Sequence, residues 1–209
     1  MARDRFATRA AILESAAALI AAHGVEALGV NVLANAAGCD KGLIYRYFGG
    51  LDGVLETLGA ERMVWPRVEV EAVDPQSEEA LSLADTVQGV VLEEWAALAA
   101  GAFMLKSQAA EITGENALGR ATAVQRSERH AELVASLRAK HRVPPYVDLA
   151  ALLELLSAAL TLFALRTASG IDAHPGATET GPLLDPSTPE GWRRIERTVG
   201  MVARSLLDS

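Results

Sequence analysis

The 209-residue chain has a single cysteine, Cys39, so no disulfide can form within it. A disulfide-stapled fold is excluded, and a reducing compartment is the expected setting. Aromatic residues are scarce at 5%, while half of the sequence is hydrophobic and Ala and Leu are abundant. That composition favours helix over sheet. Long apolar runs are missing. The longest, Trp95 to Leu105 and Leu155 to Leu165, have 11 residues each, too short to cross a bilayer. Arg3, Arg5 and Arg9 imitate the start of a signal peptide, but Glu14 interrupts the apolar stretch and no small-residue cleavage site follows. A soluble, cytoplasmic protein with no membrane partner is expected. The four histidines (His23, His130, His141 and His174) lack metal-ligand spacing. No phosphate loop or nucleophile–base–acid set accompanies them. Hence no metal, cofactor or catalytic residue is expected, and the chain is not read as an enzyme. Glu93 and Glu94, adjacent on a helix, point apart and read as a solvated face.

Basic residues are also few, but they are unevenly placed. Residues 1–50 carry five Lys and Arg against four Asp and Glu, a net +1, and the remainder carries 14 against 23. The whole chain has a formal charge of −8. An acidic protein can approach DNA phosphates only through a local basic face. Any nucleic-acid contact therefore belongs to the N-terminal quarter.

What is present is a succession of helical patterns, predicting an all-α fold. A first helix over 4–23 carries Phe6, Ala10, Leu13, Ala17 and Ile20 at helical spacing. Short helices follow over 31–37 and 41–48, broken by Gly38 and started by an Asp40 cap. The next runs over 51–65 to Pro66. Asp74-Pro75 marks a turn, and Ser77 reads as the cap of a helix reaching Ala100. A break at Gly101, a piece to Ile112, and helices over 116–142, 146–169 and 189–207, the last with Thr188 as its cap and Pro189 in its first turn, complete the chain. Between the last two lies a Pro- and Gly-rich loop, 170–188, long enough to be functional.

Helix 146–169 is apolar on nearly every side, which requires burial on nearly every side. Helix 189–207 has a seam of Trp192, Ile195, Val199, Val202 and Leu206 at heptad steps. A chain of this size has little material to cover both. A second copy is the expected cover, with Leu152, Leu156, Leu160 and Phe163 joining that seam in the dimer interface.

The run Ala34-Asn35-Ala36-Ala37-Gly38-Cys39-Asp40-Lys41-Gly42-Leu43-Ile44-Tyr45-Arg46-Tyr47-Phe48 has the form of a helix-turn-helix. Gly38 relieves the turn, Ala34 and Ala37 allow close helix approach, and Cys39 plugs the corner as a packed thiol. Ile44 and Phe48 face inward.

With Arg9 through Leu13, Ala16-Ala17 and Gly24, this run resembles the TetR family of transcriptional regulators. The resemblance covers 9–55 in motif and the whole chain in layout. It implies a homodimer with a DNA-binding domain at 1–50 and an effector-binding and dimerisation domain at 51–209. It implies contacts to a double-stranded DNA operator by Asn31, Lys41, Gly42, Leu43, Tyr45, Arg46 and Tyr47. A small-molecule effector is implied as well. The bulky Trp95, Phe103 and Met104 are the residues expected to meet it, with Gln88, Gln108 and His130 as polar handles. The absence of a Lys/Arg cluster there argues against a highly anionic effector, and an apolar or amphipathic one is expected. The sequence departs from the family pattern in three ways. Leu28, Gly29 and Val30 stand where Ser or Thr is usual, Leu51 replaces a Lys, and Leu43 replaces a Thr. A weaker electrostatic grip follows, carried by Arg3, Arg5, Lys41 and Arg46. The function implied is a ligand-released repressor. The alternative is a helical small-molecule-binding protein with weak or lost DNA affinity.

Overall fold

The computed structural model describes residues 2–61, 81–169 and 188–208, and among them every regular element is helical. They are α1 (Ala2–His23), a 3-10 turn (Val25–Ala27), α2 (Val30–Ala36), α3 (Lys41–Phe48), α4 (Leu51–Glu61), α5 (Leu83–Ala100), α6 (Ala102–Thr113), α7 (Ala117–Lys140), α8 (Leu149–Ser169) and α9 (Pro189–Leu207). The expected end of the fourth helix near Trp65, the Asp74-Pro75 turn, the Ser77 cap and loop 170–187 lie outside the described residues.

Two compact units divide the chain. One gathers Met1–Trp65 with Ala100–Ser127, the other Pro66–Ala99 with Glu128–Ser209. These packing units do not divide at the expected boundary of residue 50.

In the first unit α1 packs against α2, α4 and α6, and α3 against α4. Ile12, Ile20, Leu33, Ile44, Val54, Leu58 and Leu118 are fully buried at its centre. The inner stripe of α1 is Ile12, Ala16 and Ile20, flanked by Leu13 and Ala17. Phe6 and Ala10, expected to start that stripe, are exposed, Phe6 by 73%. They lie beyond the reach of the core, where helical spacing alone cannot say that nothing covers them. Gly119 lets α7 rest on α6, since a Cβ there would lie 2.1 Å from the Ala110 carbonyl oxygen.

The second unit buries Leu83, Val87 and Val91 of α5, Leu137 of α7, Leu149, Leu153 and Leu160 of α8, and Ile195 and Ala203 of α9. Local caps set most of its boundaries. The helix reaching Ala100 begins at Leu83, with Leu81 and Ser82 outside it, because the Ser82 hydroxyl accepts the Asp85 amide at 3.1 Å. Asp148 accepts the Ala151 amide at 3.0 Å, so α8 starts three residues later than the apolar pattern does. Thr188 accepts the Gly191 amide and Pro189 opens α9, as expected. Glu94 corrects the sequence reading. It is buried, and its carboxylate accepts the Ser157 hydroxyl at 2.8 Å. Its neighbour Glu93 is exposed.

Over Leu149–Ala168, α8 is long and apolar enough to cross a membrane by length and composition. Counting uninterrupted runs misses this, because the helix tolerates Glu154 and Arg166. In the fold 39% of that window is buried, which is the inner face of a core helix.

Close packing at Gly119 makes a testable demand. Gly119→Ala is expected to cost ~1–3 kcal/mol through overpacking. Gly89→Ala, where a Cβ meets nothing within 4 Å of an exposed α5 position, is expected to gain roughly 0.5–1 kcal/mol. Urea unfolding of the two variants against the parent chain measures both signs.

Candidate nucleic-acid interface

The turn between α2 and α3 depends on Gly38. Its φ of +62° is left-handed, a region that residues with a Cβ avoid. That reversal lets the Gly38 amide donate to Asn35 at 3.2 Å and the Cys39 amide to Ala34 at 3.0 Å. The last carbonyls of α2 are satisfied before the chain leaves it. Asp40 then opens α3 from an extended backbone, its Oδ1 accepting the Gly42 amide at 2.7 Å. α2 starts without such help, since Gly29 holds its cap position and supplies no side-chain hydrogen bond.

Burial orients α3. Ile44 is fully buried and Phe48 is half-buried against the same core. The opposite side presents Lys41 and Tyr45, Gly42 and Arg46, two pairs at i,i+4 and all exposed. Leu43 and Tyr47, another such pair, flank them half-exposed. Asn31 is exposed on α2. All seven expected contacts are thus reachable on one helix pair. The sequence reading missed Val32, an apolar α2 residue that is 47% exposed beside Asn31. At seven residues α2 is too short to show a stripe from which that exposure could be read.

Cations gather around Tyr47. The Arg5 guanidinium of α1 lies 5.7 Å from its ring centroid and that of Arg46 lies 6.0 Å away, both within cation–π range. Among the described residues neither arginine forms an ion pair, so both charges are available. Cys39 is half-buried behind this face. Burial, and secondarily the Asp40 charge, push its thiol above the ordinary range. A thiol held protonated is a packing group and a poor redox nucleophile.

α3 is seated on α4 through a glycine. A Cβ on Gly53 would lie 1.7 Å from the Phe48 carbonyl oxygen, so the first turn of α4 closes directly on the end of α3. Leu51, where a phosphate-binding Lys was expected, is half-buried against the core.

The residues expected at an effector are divided between the units. Phe103, Met104 and Gln108 belong to the first, and Gln88, Trp95 and His130 to the second. Gln108 is 2% exposed, and its Nε2 makes no hydrogen bond among the described residues. Phe103 is half-buried against the first core. Gln88 donates to the Glu196 carbonyl of α9 at 3.1 Å. Trp95 stacks on Trp192, with centroids 4.1 Å apart. His130 Nδ1 sits 2.8 Å from Glu154 and its Nε2 3.8 Å from Glu94.

The expected dimer residues also separate. Leu152, Leu160, Ile195 and Val199 are buried in the chain's own core, and Leu156, Phe163 and Trp192 pack half-buried against it. Val202 and Leu206 of that seam are exposed. Leu155 (70%) and Leu162 (55%) of α8 and Met201 (61%) of α9 are exposed apolar residues as well.

Residues 12–58 match the family model of bacterial regulatory proteins, tetR family. No curated protein matches the sequence. Among solved structures the chain is similar to the fatty acid degradation regulator FadR from Bacillus halodurans, at 20% identity and a TM-score of 0.59, covering 95% of this chain and 94% of that one. It is similar to a TetR family transcription regulator from Marinobacter aquaeolei VT8, at 17% identity and a TM-score of 0.59, covering 99% and 98%. It is also similar to NalD, the secondary repressor of the MexAB-OprM multidrug efflux pump in Pseudomonas aeruginosa, at 17% identity and a TM-score of 0.57, covering 98% and 97%.

The Gly53 contact and the Asp40 cap fix the same helix from its two ends. Gly53→Ala is expected to lose ~1–3 kcal/mol, and Asp40→Ala ~1 kcal/mol. In both, amide hydrogen exchange over residues 41–50 should accelerate more than over α5, read by mass spectrometry.

Proposed function

We propose that this chain, whose residues 12–58 match the tetR family model and whose fold is similar to that of a TetR family transcription regulator, is a homodimeric repressor, released from a palindromic operator by a small apolar or amphipathic effector. One observation carries the DNA reading. On a chain of net charge −8, α3 turns Lys41, Tyr45 and Arg46 outward together, with Arg5 beside them. Lys41 and Arg46 supply phosphate neutralisation or a guanine edge contact, the hydroxyls of Tyr45 and Tyr47 bind phosphate, and Leu43 meets a thymine methyl. Asn31 and Gly42 complete the contact set. Two such heads of a dimer fit half-sites about 34–36 Å apart or somewhat wider.

The second copy covers Leu155 and Leu162 of α8 and Met201, Val202 and Leu206 of α9, apolar side chains that the chain itself leaves in water. For the effector, Phe103, Met104 and Gln108 are the favoured contacts. They share a packing unit with α4, and the buried Gln108 amide awaits an acceptor. Gln88, Trp95 and His130 lie in the other unit, where Gln88 donates to the Glu196 carbonyl, Trp95 stacks on Trp192 and His130 meets Glu154. Residues 1–50 read DNA, residues 51–209 sense and dimerise, and displacement of α4 changes the spacing of the two recognition helices. Coupling of this kind typically amounts to about 5–150-fold in affinity and acts equally in both directions. The reading involves no reaction and places the protein in the cytoplasm.

The uncapped start of α2 at Gly29 and the apolar Leu51 favour a second reading, a helical ligand-binding protein with little DNA affinity. Selection of duplexes from a random-sequence pool by the full chain separates the two. A repressor yields a palindrome bound with a steep salt dependence, whereas the second reading yields no enriched sequence. Lys41→Ala and Arg46→Ala should each weaken that duplex. Whichever of the two binds phosphate should also lower the slope of log affinity against log salt by about one. Leu155→Glu combined with Leu162→Glu should convert the dimer to monomer in sedimentation velocity, and specific binding should fall with it. Unchanged sedimentation would sink the proposed interface.

A further inference from the structure

Within the N-terminal unit one side chain of α1 reaches two other helices. Arg9 rises from α1, and its guanidinium grips the carboxylate of Glu61 on α4 with both nitrogens, at 3.2 and 2.5 Å. The same guanidinium lies 5.4 Å from the ring centroid of Phe48, the last residue of the recognition helix α3. On the same turn of α4, Gly59 brings the backbone onto α7, where a Cβ would lie 2.5 Å from that of Ala121. That turn is therefore seated on α7 and, through Arg9, tied to the end of α3.

We propose that Arg9 is a positioning residue that couples α4 to the recognition helix, with Glu61 as its anchor and Phe48 as the surface it steadies. This rests on the regulator reading and deepens it by naming the link between the moving helix and the reading head. An exposed ion pair with loose geometry contributes little, but a bidentate Arg–carboxylate fork fixes orientation as well as distance. The cation over the Phe48 ring adds a contact that a lysine cannot reproduce with the same planar fork. When α4 shifts, Glu61 moves with it. Arg9 must then either release the carboxylate or leave Phe48, and either movement frees the end of α3.

The sign of one substitution separates this role from simple electrostatics. Glu61 is an acid on an acidic protein, so deleting its charge without further consequence should tighten DNA binding. The positioning role requires the opposite. In the full chain, with the duplex that the parent selects from a random pool, Glu61→Gln is expected to weaken binding about fivefold at one salt concentration. Arg9→Gln should weaken it similarly while leaving the salt slope unchanged. A slope lower by about one for Arg9→Gln would mean that Arg9 holds a phosphate directly, which overturns the proposal. Equal or tighter binding by Glu61→Gln overturns it as well.

A second measurement needs no DNA. Amide exchange at residues 45–50 of the free protein should accelerate in Glu61→Gln and in Arg9→Gln. Unchanged exchange in Glu61→Gln overturns the tie even if the protein proves to be a regulator. A parent chain that selects no duplex overturns the regulator reading, and the exchange experiment then decides the tie alone.

Discussion

An eight-residue helix has too few hydrogen bonds to hold itself in water, so the geometry of α3 depends on what Ile44 buries against. Ile44 is wholly enclosed in a core shared with Ile12, Ile20, Leu33, Val54 and Leu58. Everything on the far side of α3 follows from that burial. Lys41, Tyr45 and Arg46 turn outward because Ile44 and Phe48 turn inward. Gly38 and Asp40 fix where the helix starts, and Gly53 fixes how closely its end is met by α4. The outward face of α3 is a by-product of the apolar packing behind it.

The electrostatics of the molecule are local for the same reason. The chain is acidic as a whole, and its few N-terminal cations would be scattered in an unfolded segment. Folding brings Arg5 and Arg46 to the Tyr47 ring and leaves Arg9 paired with Glu61. Among the described residues Arg9 thus carries an ion pair, while Arg5 and Arg46 do not. A count of basic residues does not distinguish them.

The C-terminal helices show how far a pattern can be trusted. Heptad spacing in α9 and the all-round apolarity of α8 both announce burial, and both helices are indeed core elements. The partner of each residue is a different matter. Ile195 and Val199 are consumed by the chain's own core, while Leu155, Leu162 and Met201 face outward. Periodicity marks the residues that must leave water; it does not say whether the covering atoms come from the same chain or another. The buried Glu94–Ser157 hydrogen bond makes the same point for polar groups. Adjacent acids look solvated until α8 places a hydroxyl against one of them.

Local chemistry is what the sequence determined by itself. Caps at Asp40 and Thr188, the breaks at Gly38 and Gly101, the span of α3 from Lys41 to Phe48 and that of α9 from Pro189 to Leu207 all depend on residues within a turn of one another, and all were legible. The helix-turn-helix and its outward-facing residues were legible too, because a four-residue step places side chains on one face whatever surrounds the helix. Tertiary structure decided what needs a distant partner. Phe6 stays in water, Gly119 and Gly53 admit close backbone contact, and Arg9 finds Glu61 fifty-two positions away. Such contacts depend on which helices meet, and that is set by the sum of many buried surfaces and not by any one stretch of residues.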